Sequence, residues 1–265
     1  MSCGNSCNGD SPSRRGFLTR MATGAAGAAA GLTLAPGITL MSPALAKNQA
    51  RGKAEAASSK VRWGMLVDAN KCDDGCTACV DACADENGWR EGESASTDPL
   101  QAAQWIRQVK VTDPGTGHSQ TLPMMCQHCE EPPCVDVCPT GASMKRADGI
   151  VLVDKHSCIG CRYCVMACPY QARSFVHEPV TDQRTHAPRG KGTVESCTFC
   201  VHRVDEGEQP ACVEACGGTK RGALTFGDLN DPDSDISKKV AEYPTQTIRS
   251  DLGLKPGVRY MGLDT

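Results

Sequence analysis

Aromatic residues are scarce in this 265-residue chain: four Phe, four Tyr and three Trp make up 4% of it, and its mean hydropathy is −0.35. Once an amino-terminal leader is set aside, about 220 residues remain with little apolar material for a conventional core. Past that leader no apolar run is long enough to cross a bilayer. There is no C-x-x-C-H for covalent haem, no G-x-G-x-x-G, no G-x-x-x-x-G-K-[ST] and no Ser-centred nucleophile elbow. These absences exclude haem attachment, dinucleotide and nucleotide binding, and serine hydrolysis. No basic stretch is interleaved with aromatics, so nucleic acid is not an expected partner.

What is abundant is cysteine, 18 in all. An even count invites a disulfide framework, but the spacing opposes it: CIGCRYCVMACP, Cys158 to Pro169, gathers four sulfurs around one small volume, which is ligand spacing. Zinc needs only paired C-x-x-C units. C-x2-C-x2-C-x3-C-P is instead the bacterial ferredoxin pattern for [4Fe-4S] binding, in which three cysteines hold one cluster and the fourth reaches to a second. Proline suits the place behind that fourth ligand because it fixes φ and donates no N–H.

Three further blocks follow the same plan: Cys72, Cys76, Cys79 and Cys83; Cys126, Cys129, Cys134 and Cys138; Cys197, Cys200, Cys212 and Cys216. Each ends on C-x3-C, and CVDVC, CVMAC and CVEAC read as variants of one unit. Taken alone the fourth block would also suit zinc. Sixteen cysteines in four blocks imply four [4Fe-4S] clusters. His128 and His202 do not make a Rieske centre, since no block lacks a cysteine; a structural or supporting role is expected for both. With four redox centres and no substrate chemistry the chain reads as an electron wire and not an enzyme.

MLVDANKC, ending at Cys72, and VLVDKHSC, ending at Cys158, repeat Leu-Val-Asp-x-x-x-Cys, so a short strand feeds a cluster loop twice. Strands are also expected in WIRQVKV from Trp105 and ALTF from Ala223, with brief helices between. The fold class is α+β.

SRRGFL, Ser13 to Leu18, precedes an Ala- and Gly-rich stretch ending in Ala44-Leu45-Ala46, which reads as a twin-arginine signal cleaved after Ala46. That route exports folded, cofactor-loaded proteins, so the mature chain is expected in the periplasm, without Cys3 and Cys7. Cleavage removes three of 28 basic and one of 31 acidic residues, leaving 25 against 30. Each oxidised cluster with its thiolates adds roughly two negative charges. Arg162, Arg173, Arg203, Lys145 and Arg146 sit near the blocks and either offset that charge or lie as solvated surface.

The four blocks and the leader resemble the four-cluster ferredoxin-type subunits of membrane-bound respiratory complexes. These include the electron-transfer subunits of polysulfide, tetrathionate and dimethyl sulfoxide reductases and of NrfC-type nitrite reduction. The likeness covers most of residues 61 to 230. RWGMLVDANKC, PPCVDVCPTGASMKRADGIVLVD and CIGCRYCVMACPYQARSFVHE resemble more narrowly the DsrO subunits of the DsrMKJOP complexes of dissimilatory sulfur metabolism. The chain departs from the pattern at Ala84 and Gly217, which stand where Pro139 and Pro169 follow their fourth cysteines.

Spacing favours pairing the second and third blocks and leaves pairing of the first two open. The resemblance implies one bis-cluster module inserted in another: an outer module of 61–114 with 186–228, an inner one of 115–185, the signal at 1–46 and an extended docking tail at 229–265. It implies ligand sets of Cys72, Cys76, Cys79 with Cys216; Cys197, Cys200, Cys212 with Cys83; Cys126, Cys129, Cys134 with Cys168; and Cys158, Cys161, Cys164 with Cys138. It also implies an integral-membrane quinone-interacting partner of the NrfD kind, a multihaem cytochrome c and further membrane subunits, with peripheral attachment to the membrane through them. A molybdopterin-enzyme subunit and a zinc-loaded structural or assembly protein are the alternative classes.

Overall fold

The strand expected before the first block is the centre of the fold. β1 (Trp63–Asp68) is buried along its whole length, as a strand covered on both faces must be. It pairs antiparallel with β8 (Leu224–Asp228), Met65 opposite Phe226, and parallel with β9 (Val258–Met261), Val67 opposite Tyr260. Gly64 permits this close assembly, because a Cβ there would stand 2.8 Å from the Gly257 carbonyl oxygen and collide with Leu229. The computed structural model describes residues 56–90, 101–181, 183–219 and 222–263. The proposed leader, its cleavage site, Cys3 and Cys7 lie outside them. Among the described residues no helix is long and apolar enough to cross a membrane.

Among the described residues the other strands form three two-stranded pairs. β2 (Ile106–Thr112) and β3 (Ser119–Met125) form a hairpin, β4 (Ser143–Lys145) pairs with β5 (Val151–Val153), and β6 (Ser174–Phe175) with β7 (Val194–Glu195). The hairpin crosses the expected boundary at 114/115 and the β6–β7 pair the one at 185/186, and all the described residues belong to one compact unit. Three of the scarce aromatics pack in a row with His128. Trp63 stacks on Phe226 at 5.3 Å, Phe226 meets Phe199 edge-on at 5.3 Å, and Phe199 stacks on His128 at 3.6 Å.

Each block carries a helix. α1 (Ala78–Asn87) belongs to the first block and α5 (Ala211–Gly218) to the fourth, and these two pack together; α2 (Pro133–Asp136) of the second packs on α3 (Tyr163–Ala167) of the third. α4 (Val201–Asp205) lies between the paired cysteines of the fourth block. The helices explain the missing prolines. α1 and α5 run on past Cys83 and Cys216, through Ala84 and Gly217, where proline would break them. α2 and α3 have ended by Cys138 and Cys168, and Pro139 and Pro169 are tolerated there.

The segment after the fourth block is not an extended tail. α6 (Asp235–Glu242) is capped by Ser234, whose Oγ accepts from the Ser237 N–H, and buries Ile236 completely. β9 then supplies Val258 and Tyr260, both 0% exposed, to the central sheet. The intervening backbone binds the second block: the Glu130 N–H donates to the Leu254 and Lys255 carbonyls, and the Gly257 N–H to that of Gln127. The expectation of an extended tail is corrected by this burial, which makes β9 part of the core.

Candidate functional site

None of the sixteen block cysteines forms a disulfide. Ten are buried; Cys72, Cys138, Cys158 and Cys216 are half-buried, and Cys76 and Cys161 are exposed. One backbone feature recurs in all four blocks. The residue before the second cysteine has positive φ: Gly75 (85°), His128 (43°), Gly160 (70°) and Phe199 (53°). A left-handed residue in such a loop turns successive N–H groups toward one point, the concavity found at many iron–sulfur sites. Gly160 needs glycine for space as well, since a Cβ would collide with the Gly192 carbonyl oxygen. His128 and Phe199 bear a strain of about 1–2 kcal/mol each in this region, and their mutual stacking, worth about 0.5–1.5 kcal/mol, offsets part of it.

The sulfurs are crowded. Burial, then Cys216 and Cys76, push the Cys72 thiol up to about 11; burial, then Cys216, Cys72 and Cys76, push Cys79 up to about 12. These four line one cavity of about 300 Å³. Burial also lifts Cys83 to about 12, with Cys200 and Cys79 adding to it. Cys197 stands well above the ordinary thiol value through burial, then Cys83, Cys126 and Cys200, and Cys212 through burial, then Cys200, Cys83, Cys197 and Cys79. In the second block Cys126 and Cys129 are raised to about 12 by burial, with Cys134 and Cys168 contributing. Thiols held this way resist ionisation in the bare protein and bind as thiolates only when cations replace their protons. The donor set therefore fits iron–sulfur clusters.

Three of the four expected groupings are thus brought within electrostatic reach. For the remaining one, Cys138 follows α2 and Cys158, Cys161 and Cys164 surround the start of α3. Burial raises the Cys138 thiol, but the Ser143 N–H and the Thr140 hydroxyl outweigh it and hold the thiol below the ordinary value. Links also run between groups: Cys79 reaches Cys83, Cys197 reaches Cys126, and Cys134 reaches Cys164.

Donors to sulfur are distributed over the groups. Cys216 Sγ accepts from the Ala223 N–H at 3.1 Å, Cys138 from Ser143 at 3.3 Å, Cys158 from Val194 at 3.5 Å and Cys197 from Phe199 at 3.5 Å. Cys83 accepts from Trp89 Nε1 at 3.4 Å and Asn87 Nδ2 at 3.6 Å. Such donors, with burial, are what a protein uses to set cluster potentials.

Of the five basic residues noted near the blocks, four are engaged elsewhere. Arg146 pairs with Asp148 and Asp205, Arg203 with Glu86 and Glu214, Lys145 Nζ donates to the Glu130 carbonyl at 2.7 Å, and Arg162 lies over the Phe175 ring at 4.7 Å. Arg173 alone is turned inward, to Cys134, Cys126 and Cys164. The histidines take structural places. His128 is fully buried and its Nδ1 accepts from the Val151 N–H at 3.0 Å. His202 bonds Glu86 at 2.8 Å and stacks on His186 at 3.9 Å. Glu86, His186 and His202 bring three ligand-type atoms together, but the Glu86 carboxylate serves His202 and Arg203 and His186 faces the Glu86 carbonyl oxygen at 2.8 Å. That cluster braces the first block against the fourth. Sequence reasoning did not find Glu86, His186 or Glu195; proximity to a cysteine was the only signal for Glu86 and Glu195, and His186 had none.

Two family models described as a 4Fe-4S dicluster domain match the chain, one over residues 71–142 and one over 118–229. It is 43% identical to the Hdr-like menaquinol oxidoreductase iron-sulfur subunit 1 of Archaeoglobus fulgidus, over 95% of this chain and 98% of that one. It is 38% identical to a tetrathionate reductase subunit of Salmonella typhimurium, over 87% and 84% of the two chains, and 44% identical to protein NrfC of Escherichia coli, over 74% and 78%. With these relatives and sixteen free cysteines in four blocks, the chain belongs to the iron-sulfur subunits built from 4Fe-4S dicluster domains, carrying four [4Fe-4S] clusters as an electron-transfer subunit and not an enzyme.

Proposed function

We propose that the chain is the exported wire of a quinone-linked respiratory complex of the DsrO kind, working in dissimilatory sulfur metabolism. Its ligand sets are those in which the fourth cysteine of each block crosses to its partner block, in nested outer and inner modules. The observation that carries the reading is the succession of electrostatic influence from sulfur to sulfur. It runs from the group of Cys72 and Cys216, to that of Cys83 and Cys197, to that of Cys126 and Cys168, and then to Cys164. The two exposed cysteines, Cys76 and Cys161, fall at opposite ends of that row, and the ligands of the two middle groups are buried. Each cluster takes up and releases one electron, so such a row admits electrons at one surface and delivers them at another.

The Cys161 end supports a partner face. Ile159, Tyr163 and Met166 are 68%, 54% and 74% exposed beside it, and apolar side chains grouped on a surface mark interaction sites. The partner is an integral-membrane quinone-interacting subunit of the NrfD kind, joined by a multihaem cytochrome c and further membrane subunits, with the chain held peripherally on the periplasmic side. Likeness to a menaquinol oxidoreductase subunit over nearly the whole chain supports the quinone link. A second reading, a subunit of a molybdopterin oxidoreductase or of nitrite reduction, is favoured by the likeness to the tetrathionate reductase subunit and NrfC. Isolation of the native complex decides between them. A membrane quinone subunit with a multihaem cytochrome is expected, a molybdopterin subunit in their place establishes the second reading, and a free, soluble chain overturns both.

A further inference from the structure

Among the described residues two arginines are buried deeply, and they differ in one respect. Arg189, 3% exposed, has its guanidinium fully engaged: Nε and Nη2 donate to Glu195 at 2.8 and 3.0 Å, and Nη1 to the Gly88 carbonyl at 2.8 Å. Arg173, 5% exposed, has none of this. Its Nε, Nη1 and Nη2 are all buried with no oxygen acceptor, the sulfur of Cys164 being the one acceptor in reach, and it is the one described residue with an entire guanidinium so placed. A buried cation without acceptors costs several kcal/mol and would not persist in a folded chain. The groups it faces are the sulfurs of Cys126, Cys134 and Cys164. Cys126 and Cys134 belong to one proposed cluster and Cys164 to the next.

We propose that Arg173 is a tuning residue shared by the two inner clusters, its guanidinium donating hydrogen bonds to the sulfur of both and holding their reduction equilibria up together. The proposal rests on the ligand sets given above. A planar fork with five N–H donors serves two acceptor faces at once, which a lysine ammonium on its flexible stem does not. A fixed positive charge beside a cluster favours the reduced, more negative state. One cation between two clusters therefore raises both and keeps electron transfer between them close to level. Arg173 follows Cys168 by five residues in CPYQAR, so the turn that ends the third block also delivers it.

The test is a redox titration of the cluster-loaded protein, followed by EPR, for wild type, R173Q and R173K, with iron content determined for each. C129S and C161S assign the two inner centres. R173Q is expected to lower both inner potentials by roughly tenfold or more in each reduction equilibrium, about 59 mV for one electron, leaving the two outer centres in place. R173K, which keeps the charge and loses the fork, is expected to lower both measurably, but by less than half as much. If R173Q is poor in iron, R173K decides. Iron-replete R173K with wild-type potentials, or a shift confined to one inner centre, overturns the proposal. Wild-type protein with fewer than four titrating clusters overturns the four-cluster reading itself, a result visible before any Arg173 variant is made.

Discussion

The clamp between Arg189 and Glu195 gives the sharpest stability prediction. Both side chains are buried, at 3% and 0% exposure, and the Arg189 fork joins three parts of the chain: its own loop, the Gly88 carbonyl at the end of α1, and Glu195 two residues before Cys197. The fork thus holds the first block against the fourth. Glu195→Gln keeps the shape and removes the charge, leaving the Arg189 cation buried without its counter-ion. Breaking a buried pair from one side costs about 3–5 kcal/mol. With a urea dependence of at most about 3 kcal/mol per molar, the midpoint for loss of cluster absorbance, followed anaerobically at fixed time, should fall by roughly 1 M or more. Replacing both residues, Arg189→Met with Glu195→Met, removes the orphaned charge and should recover most of the loss. A single variant with the wild-type midpoint, or a double variant weaker than the single one, would refute the reasoning.

Cys138→Ala should damage the cluster of Cys158, Cys161 and Cys164 more than that of Cys126, Cys129 and Cys134; EPR showing the reverse means that each block binds its own cluster. Truncation after Tyr243 removes β9 with Val258 and Tyr260, each worth about 1.5–3 kcal/mol of burial, and with it the backbone bonds to Gln127 and Glu130. Cluster content in purified protein should fall severely, and a truncated chain with full iron would show that β9 is dispensable. Replacing Arg14 and Arg15 by lysine should strand the protein in the cytoplasm, and unimpaired export would end the twin-arginine reading. Gly160→Ala should lower occupancy at the third block, measured as iron per chain, because the added Cβ meets the Gly192 carbonyl.

Much of the site was legible because cysteine spacing is local and the chemistry of thiolate ligands restricts it strongly. The strands leading to Cys72 and Cys158 were legible for a similar reason: Leu-Val-Asp repeats before both cysteines. The C-terminal segment was not. DLNDPDSD and GLKPGVRYMG are rich in turn residues and lack periodicity, and Val258 and Tyr260 become core residues only through parallel pairing with a strand almost 200 residues earlier. No local pattern encodes such a partner. Direction was equally hidden. Arg173 and Arg203 are both basic residues close to a cysteine block, yet one turns into the protein toward sulfur and the other forms ion pairs with Glu86 and Glu214. The absent prolines after Cys83 and Cys216 were visible in the sequence, but their reason, helices that continue past the cysteine, required the structure.

The central claim is that sixteen cysteines hold four cubanes, and it is tested most directly by metal and sulfide analysis of anaerobically purified protein together with Mössbauer spectroscopy. The account predicts about 16 iron and about 16 acid-labile sulfide per chain, in spectra typical of [4Fe-4S] centres. A protein with stoichiometric zinc and no labile sulfide, or with iron for only two clusters, would contradict it.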